Sequence, residues 1–194
     1  IGADVEVLEL INGENEWTNS IKNQTNRLSV MTKRLIYLAK AEENTNMTFS
    51  DVSLNNAINE VISSFSSILK TNNKDITIND FDIAYKCDEG ALKELFSILI
   101  ENAIKYSTDN STIKINVTKA NKITIIVENK VANMEAKDYS CLFDRFYRLD
   151  SSRNSSLGGS GIGLSIAKAI VLSFKGTISA SCDDKNNFQV KIIF

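Results

Sequence analysis

GGSGIGLSIAKAI, from Gly158 to Ile170, sets four glycines directly ahead of a continuous helical pattern. Glycine lets backbone approach backbone or ligand closely, and the open N–H groups of a helix start make a ready anion site. Taken alone, the stretch fits a phosphate-bearing ligand and a plain turn equally well. No strand of a βαβ unit leads into it and no GKS or GKT follows, so a dinucleotide fold and a P-loop both fit badly.

Two further motifs precede the glycines. LFDRFYRLDSSR runs from Leu142 to Arg153, and upstream of it LIENAIKYS runs from Leu99 to Ser107. An Asn-Ala-x-Lys-Tyr run on a helix, then an aromatic-and-arginine segment, then GxGIGL resembles the ATP-binding domain of two-component sensor histidine kinases. That domain shares its fold with gyrase, Hsp90 and MutL. The resemblance covers nearly the whole chain, and three motifs in order are far more specific than one. It implies an α+β fold: a two-layer α/β sandwich of the Bergerat type, with a mixed sheet carrying helices on one face, preceded by an α-helical hairpin. The expected division is a partial dimerisation and phosphoacceptor hairpin over 1–46 and an ATP-binding domain over 47–194.

Composition agrees with that class. A chain of 194 residues with 43% hydrophobic content can bury one good core and a smaller appendage. A net charge of -2 argues against nucleic acid as a main partner. Cys87, Cys141 and Cys182 are odd in number and lack CxxC spacing, which fits neither a disulfide framework nor a zinc site and suits a reducing cytoplasm. No apolar run approaches the roughly 20 residues a bilayer requires, so the chain is not expected to be membrane-embedded itself. A cytoplasmic piece of a membrane-anchored protein is the expectation.

The opening residues, IGADVEVLEL, already read as helix. After the breakers Asn12 and Gly13, with Asn15 or Trp17 near the next start, a longer helix follows. Trp17, Ile21, Gln24, Leu28, Met31, Leu35 and Leu38 alternate fours and threes along it, a heptad seam that wants a partner helix. Ile1, Val5 and Leu8 offer a short complementary stripe. A hairpin packed on its own domain and half of a homodimeric four-helix bundle are both consistent with the seam. By resemblance, RLSVMTKRLIYLAKAEE is the second dimerisation helix. The family phosphorylates a histidine on the first helix, and this chain contains no histidine. The acceptor is therefore expected just before residue 1, and no residue of this chain is assigned as catalytic.

NTNMTFSD, Asn44–Asp51, reads as a polar hinge, after which the pattern restarts. Leu54, Ala57, Val61, Phe65 and Leu69 share one helical face, with Asn72, Asn73 and Lys74 as its stop. Short alternating runs follow at Ile76–Ile78 and Ile83–Tyr85, then a helix through Leu92–Tyr106. Ile113–Val117 and Ile123–Val127 alternate as a strand pair about a turn at Ala120–Lys122. A helix through Phe174 and strands near Thr177–Ala180 and Phe188–Phe194, turning at Asp183–Asn187, complete the sandwich.

Asn102, Lys105 and Tyr106 lie on nearly one face of their helix. A neutral amide can ligate Mg²⁺, an ammonium can neutralise phosphate, and an aromatic can cover a base; a solvated polar face is the plainer reading. The resemblance makes Asn102 the magnesium ligand, Lys105 a phosphate contact and Tyr106 an adenine neighbour. It adds Arg148 and Arg153 as phosphate contacts, suited by a permanently charged guanidinium that can reach two oxygens. It places Gly159, Gly161, Gly163 and Leu164 in the nucleotide loop, with NSSL (154–157) as a lid. Phe143 and Phe146 match the paired aromatics that dock the ATP domain on the phosphoacceptor helix, and ordinary core packing is the alternative for them.

Two departures from the family pattern carry consequences. The ATPase relatives keep a water-activating glutamate one turn before the magnesium asparagine, where this chain has Ile98, so little hydrolysis is expected and the chemistry becomes positioning for phosphoryl transfer. The Asp-x-Gly-x-Gly box that anchors adenine reads Asn129, Lys130, Val131, Ala132 and Asn133, so ATP binding is expected to be retained but weakened. The resemblance thus implies ATP and Mg²⁺ as cofactors and a response regulator as partner. A kinase-like scaffold or phosphatase module without ATP is the alternative, and an ATPase of the gyrase or MutL kind a third.

Overall fold

The computed structural model describes residues 2–13, 15–43, 47–149 and 161–194. Its N-terminal part is a helical hairpin, α1 (Gly2–Asn12) and α2 (Glu16–Glu43). The start of α2 is fixed by reciprocal capping: Asn15 Oδ1 accepts from the N–H groups of Trp17 and Thr18 at 3.0 Å, and Thr18 Oγ1 accepts from Asn15 N–H at 3.1 Å. Lys22 on α2 pairs with Glu9 on α1 at 3.2 Å. Along the expected seam, Trp17 is 80% exposed and Leu28 64%, while Met31 packs on the core. The side chains of Leu35 and Leu38 lie outside the described residues. Leu8, one of the three residues of the stripe expected on α1, is 46% exposed; Ile1 and the Val5 side chain are outside the described set.

The rest is a two-layer sandwich. Strands β1 (Ser50–Ser53) and β3 (Ala84–Cys87) pair antiparallel as a small sheet of their own. The main sheet has the order β2-β4-β5-β8-β7-β6, built from β2 (Asp75–Ile78), β4 (Thr112–Lys119), β5 (Ile123–Lys130), β6 (Lys137–Asp138), β7 (Thr177–Cys182) and β8 (Asn187–Ile193). Only the β2–β4 ladder is parallel; the other ladders of that sheet are antiparallel, so the sheet is mixed as expected. Helices α3 (Leu54–Ser64), α4 (Ser66–Thr71), α5 (Glu89–Tyr106) and α6 (Gly163–Ser173) complete the set.

Period-two alternation places Ile113, Ile115 and Val117 of β4 and Ile123, Ile125 and Val127 of β5 on the covered face, all buried. Against them lie Leu92, Leu95, Phe96 and Leu99 of α5 and Ile166, Ile170 and Val171 of α6, also buried, and α5 packs directly on α6. Each such side chain contributes about 1.5–3 kcal/mol by leaving water. Asp88 opens α5 by accepting from Ala91 N–H at 2.8 Å. α6 also packs on α2, tying the hairpin to the sandwich.

Two readings of the chain need correction. The polar string Asn44–Asp51 is not a hinge throughout, because Ser50 and Asp51 already pair with Cys87 and Lys86. The face from Leu54 to Leu69 is not one helix, because it breaks at Phe65 (φ −93°, ψ 1°) and restarts. Among the described residues, no helix is long and apolar enough to cross a membrane.

Candidate functional site

A cavity of about 440 Å³ opens between α5, the end of β5 with the loop after it, the 142–149 segment and the start of α6. That volume falls within the ~300–1,000 Å³ usual for small-molecule sites. Every expected site residue that the structure describes borders it: Asn102, Lys105 and Tyr106 from α5, Asn129 from β5, Arg148, Gly161, and Gly163 and Leu164 from α6. Arg153, Gly159 and the 154–157 segment lie outside the described residues.

The α5 side brings its residues there by helical spacing. Asn102 is half-buried, and its Nδ2 donates to the Ile98 carbonyl at 3.0 Å. Committing the amide nitrogen to the helix leaves Oδ1, a hard oxygen, as the side chain's acceptor atom, a ligand type that suits a Mg²⁺ keeping most of its own waters. Ile98 is 1% exposed and borders the cavity, so an apolar branch stands where a water-activating carboxylate would be needed. Lys105 Nζ lies 4.9 Å from the Tyr106 ring centroid, and Tyr106 is 40% exposed.

The end of α5 is secured by a residue that the sequence reading took only as a helix stop. Lys74 is 7% exposed, and its ammonium donates to the carbonyls of Ile104 at 2.6 Å and Ser107 at 2.9 Å. The first is a carbonyl of the last turn of α5 and the second belongs to its C-cap residue, so neither has an intrahelical N–H partner. Burial holds the Lys74 ammonium below its ordinary value, with Asp109 acting in the opposite sense. Nothing in an Asn-Asn-Lys string marks that role, since the contact joins residues 30 and more apart.

Asn129 is the last inward-facing residue of β5, continuing the row Ile123, Ile125 and Val127. It is 4% exposed, and its Nδ2 is buried with no hydrogen-bond partner among the described residues. An unmade hydrogen bond of this kind costs about 1–3 kcal/mol, so the donor fits a site that a polar ligand completes. Val131 is 5% exposed, and its N–H is tied to the Asn186 carbonyl at 2.9 Å. Asn133 sits at φ 54°, a left-handed conformation that glycine adopts freely and asparagine tolerates best among the others. The backbone turn expected of a glycine is therefore kept at Asn133, while Val131 adds an apolar wall.

The 142–149 segment and the glycine loop clasp each other. Phe146, at φ 63°, donates its N–H to the Gly161 carbonyl at 2.9 Å. Gly161 itself sits at φ +68°, and a Cβ there would meet the Phe146 backbone at 2.9 Å. Phe143 is 3% exposed and belongs to the core, whereas Phe146 is 65% exposed. The paired aromatics thus divide between packing and an open surface. α6 begins at Gly163 without a side-chain cap, which leaves its first N–H groups beside the cavity.

Residues 87–194 match the family described as histidine kinase-, DNA gyrase B-, and HSP90-like ATPase. The chain is 32% identical over 95% of its length to the heme sensor protein HssS of Staphylococcus epidermidis, covering 41% of that protein. It is 32% identical over 88% of its length to the signal transduction histidine-protein kinase ArlS of Staphylococcus aureus, covering 38% of it. The chain therefore spans about two-fifths of the length of these curated relatives. Its fold is similar to that of the histidine kinase AdeS of Acinetobacter baumannii, with a TM-score of 0.77 at 20% identity, over 99% of this chain and 93% of that one.

Proposed function

Because the chain belongs to the family of histidine kinase-, DNA gyrase B- and HSP90-like ATPases, we propose that it is the dimerisation hairpin and ATP-binding part of a sensor histidine kinase. In the whole protein it uses Mg-ATP to phosphorylate a histidine, whose phosphoryl group then passes to an aspartate of a response regulator. The observation that carries this reading is the convergence of Asn102, Lys105, Asn129, Arg148 and the Gly161–Leu164 turn on one cavity.

Each residue has a task that its chemistry suits. Asn102 Oδ1 ligates the magnesium ion that accompanies the phosphates, while its Nδ2 stays on the Ile98 carbonyl. Lys105 and Arg148 neutralise phosphate charge, and the first N–H groups of α6 donate to phosphate oxygens. Asn129 and Tyr106 hold the base. Arg153, Gly159 and a lid over 154–157 belong to the same proposal. With Ile98 in place of a base, the site orients and neutralises the triphosphate without activating water, so the phosphoryl group is kept for a supplied imidazole.

The hairpin over 1–46 supplies half of a homodimeric bundle, and the domain over 47–194 docks on it through the exposed Phe146. The protein works in the cytoplasm, beside a membrane anchor elsewhere in the whole protein. A scaffold without nucleotide draws on Val131, but the buried, unbonded Nδ2 of Asn129 favours a bound ligand. The test is labelling of the full-length protein with γ-labelled ATP. Alkali-stable, acid-labile label that the Asn102→Ala variant lacks supports the reading, and full-length protein that takes up none overturns it.

A further inference from the structure

We propose that Asn129 opens the base end of the cavity to 6-oxo purines as well as to adenine, so that the site reads a purine triphosphate loosely at its 6-position. The inference rests on the nucleotide reading above and adds to it the class of nucleotide the site takes.

Its basis is the chemistry of one buried group. Asn129 closes the inward row of β5 at 4% exposure, borders the cavity, and leaves Nδ2 without a partner among the described residues. A carboxylate at that place would be acceptor-only: it would draw the 6-amino group of adenine and repel a 6-carbonyl. A carboxamide carries a donor and an acceptor side by side. Toward adenine, Oδ1 accepts from the 6-amino group and Nδ2 donates to ring N1. Toward hypoxanthine, the amide turns end for end; Nδ2 then donates to the 6-carbonyl and Oδ1 accepts from N1–H.

Both pairings use the same two amide atoms, and both satisfy the buried nitrogen. The flanking inward residues, Val127 at 2% exposure and Val131 at 5%, are apolar and do not fix the amide in one orientation. Discrimination by a site that hydrogen-bonds its ligand comes from polar groups left unpaired, and neither purine leaves Asn129 unpaired. A pyrimidine, with its shorter ring system, does not present this edge at the same depth.

The test is displacement of a fluorescent ATP analogue from the chain by ATP, inosine triphosphate and CTP in the presence of Mg²⁺, for the wild type and Asn129→Asp. Inosine triphosphate isolates the 6-position because it lacks the 2-amino group of guanine. The expected result is ATP and inosine triphosphate within about threefold of each other, CTP weaker by about tenfold or more, and an Asn129→Asp variant that disfavours inosine triphosphate by a further tenfold or so. Tight ATP binding with inosine triphosphate excluded overturns the inference alone, as does an ATP-to-inosine ratio that Asn129→Asp leaves unchanged. Equal displacement by CTP also overturns it, because the base is then not read. Displacement by none of the three overturns the nucleotide reading and this inference with it, a pattern unlike any of the others.

Discussion

Cys87 ends β3 with no exposed surface, and burial, helped by Asp88 and Glu89, pushes its thiol up to about 12. That value lies above the ~8.5 of an unfolded chain, so its stabilising contribution is complete below pH ~8.5 and is lost as pH climbs toward the folded value. Tyr85, raised by burial and by Cys87, acts with the same sign. Cys87→Ala is expected to cost about 1 kcal/mol at neutral pH and to flatten the fall of melting temperature between about pH 9 and 11. Calorimetry across that range checks it, and a slope equal to the wild type would contradict the assignment. Other single residues differ in how far the sequence reveals them. Asn102 and Lys105 share a helix face by their spacing, but only the resemblance of the surrounding motifs singles them out from an ordinary solvated face. Nothing singles out Lys74, because its ammonium reaches carbonyls of a helix end that only the tertiary fold brings near.

Among the elements, α6 and the turn at Gly161 were legible because glycines lead straight into an apolar run at helical spacing. Their clasp with Phe146 was not, since it depends on two segments meeting at left-handed backbone positions. Gly161→Ala is expected to destabilise by about 1–3 kcal/mol, through φ strain and through a Cβ at 2.9 Å from the Phe146 backbone. Gly161→Asn separates the two causes by urea denaturation. Asparagine relieves the strain but keeps the Cβ, so it is expected to be nearly as unstable as alanine, and wild-type stability in it would contradict the clash. Strands β1 and β6 escaped the sequence reading for a related reason. Of the four residues Ser50–Ser53 only Val52 is buried, and both residues of β6 are exposed, so neither strand shows an apolar alternation. The break at Phe65 was hidden because the apolar spacing continues across it.

For the molecule as a whole, the sandwich buries its apolar residues on one side of a mixed sheet, while the hairpin leaves Trp17 at 80% and Leu28 at 64% exposure. The heptad spacing of that row was legible, but what covers it was not, because a hairpin packed on its own domain and half of a bundle fit the spacing alike. Trp17→Glu combined with Leu28→Glu is expected to shift sedimentation toward the monomer while changing unfolding stability by only about 0.5 kcal/mol per site. A sedimentation profile equal to the wild type would contradict a role for the seam in dimerisation. The α5–β5–α6 cavity is proposed as a Mg²⁺-dependent nucleotide site. That assignment is tested most directly by calorimetric titration of the chain with Mg²⁺ and a non-hydrolysable ATP analogue, beside Asn102→Ala, whose side chain is only half-buried. Micromolar to submillimolar binding that the variant loses while keeping its fold is the expected result. No heat and no thermal shift at millimolar nucleotide, or binding that Asn102→Ala leaves intact, would contradict it.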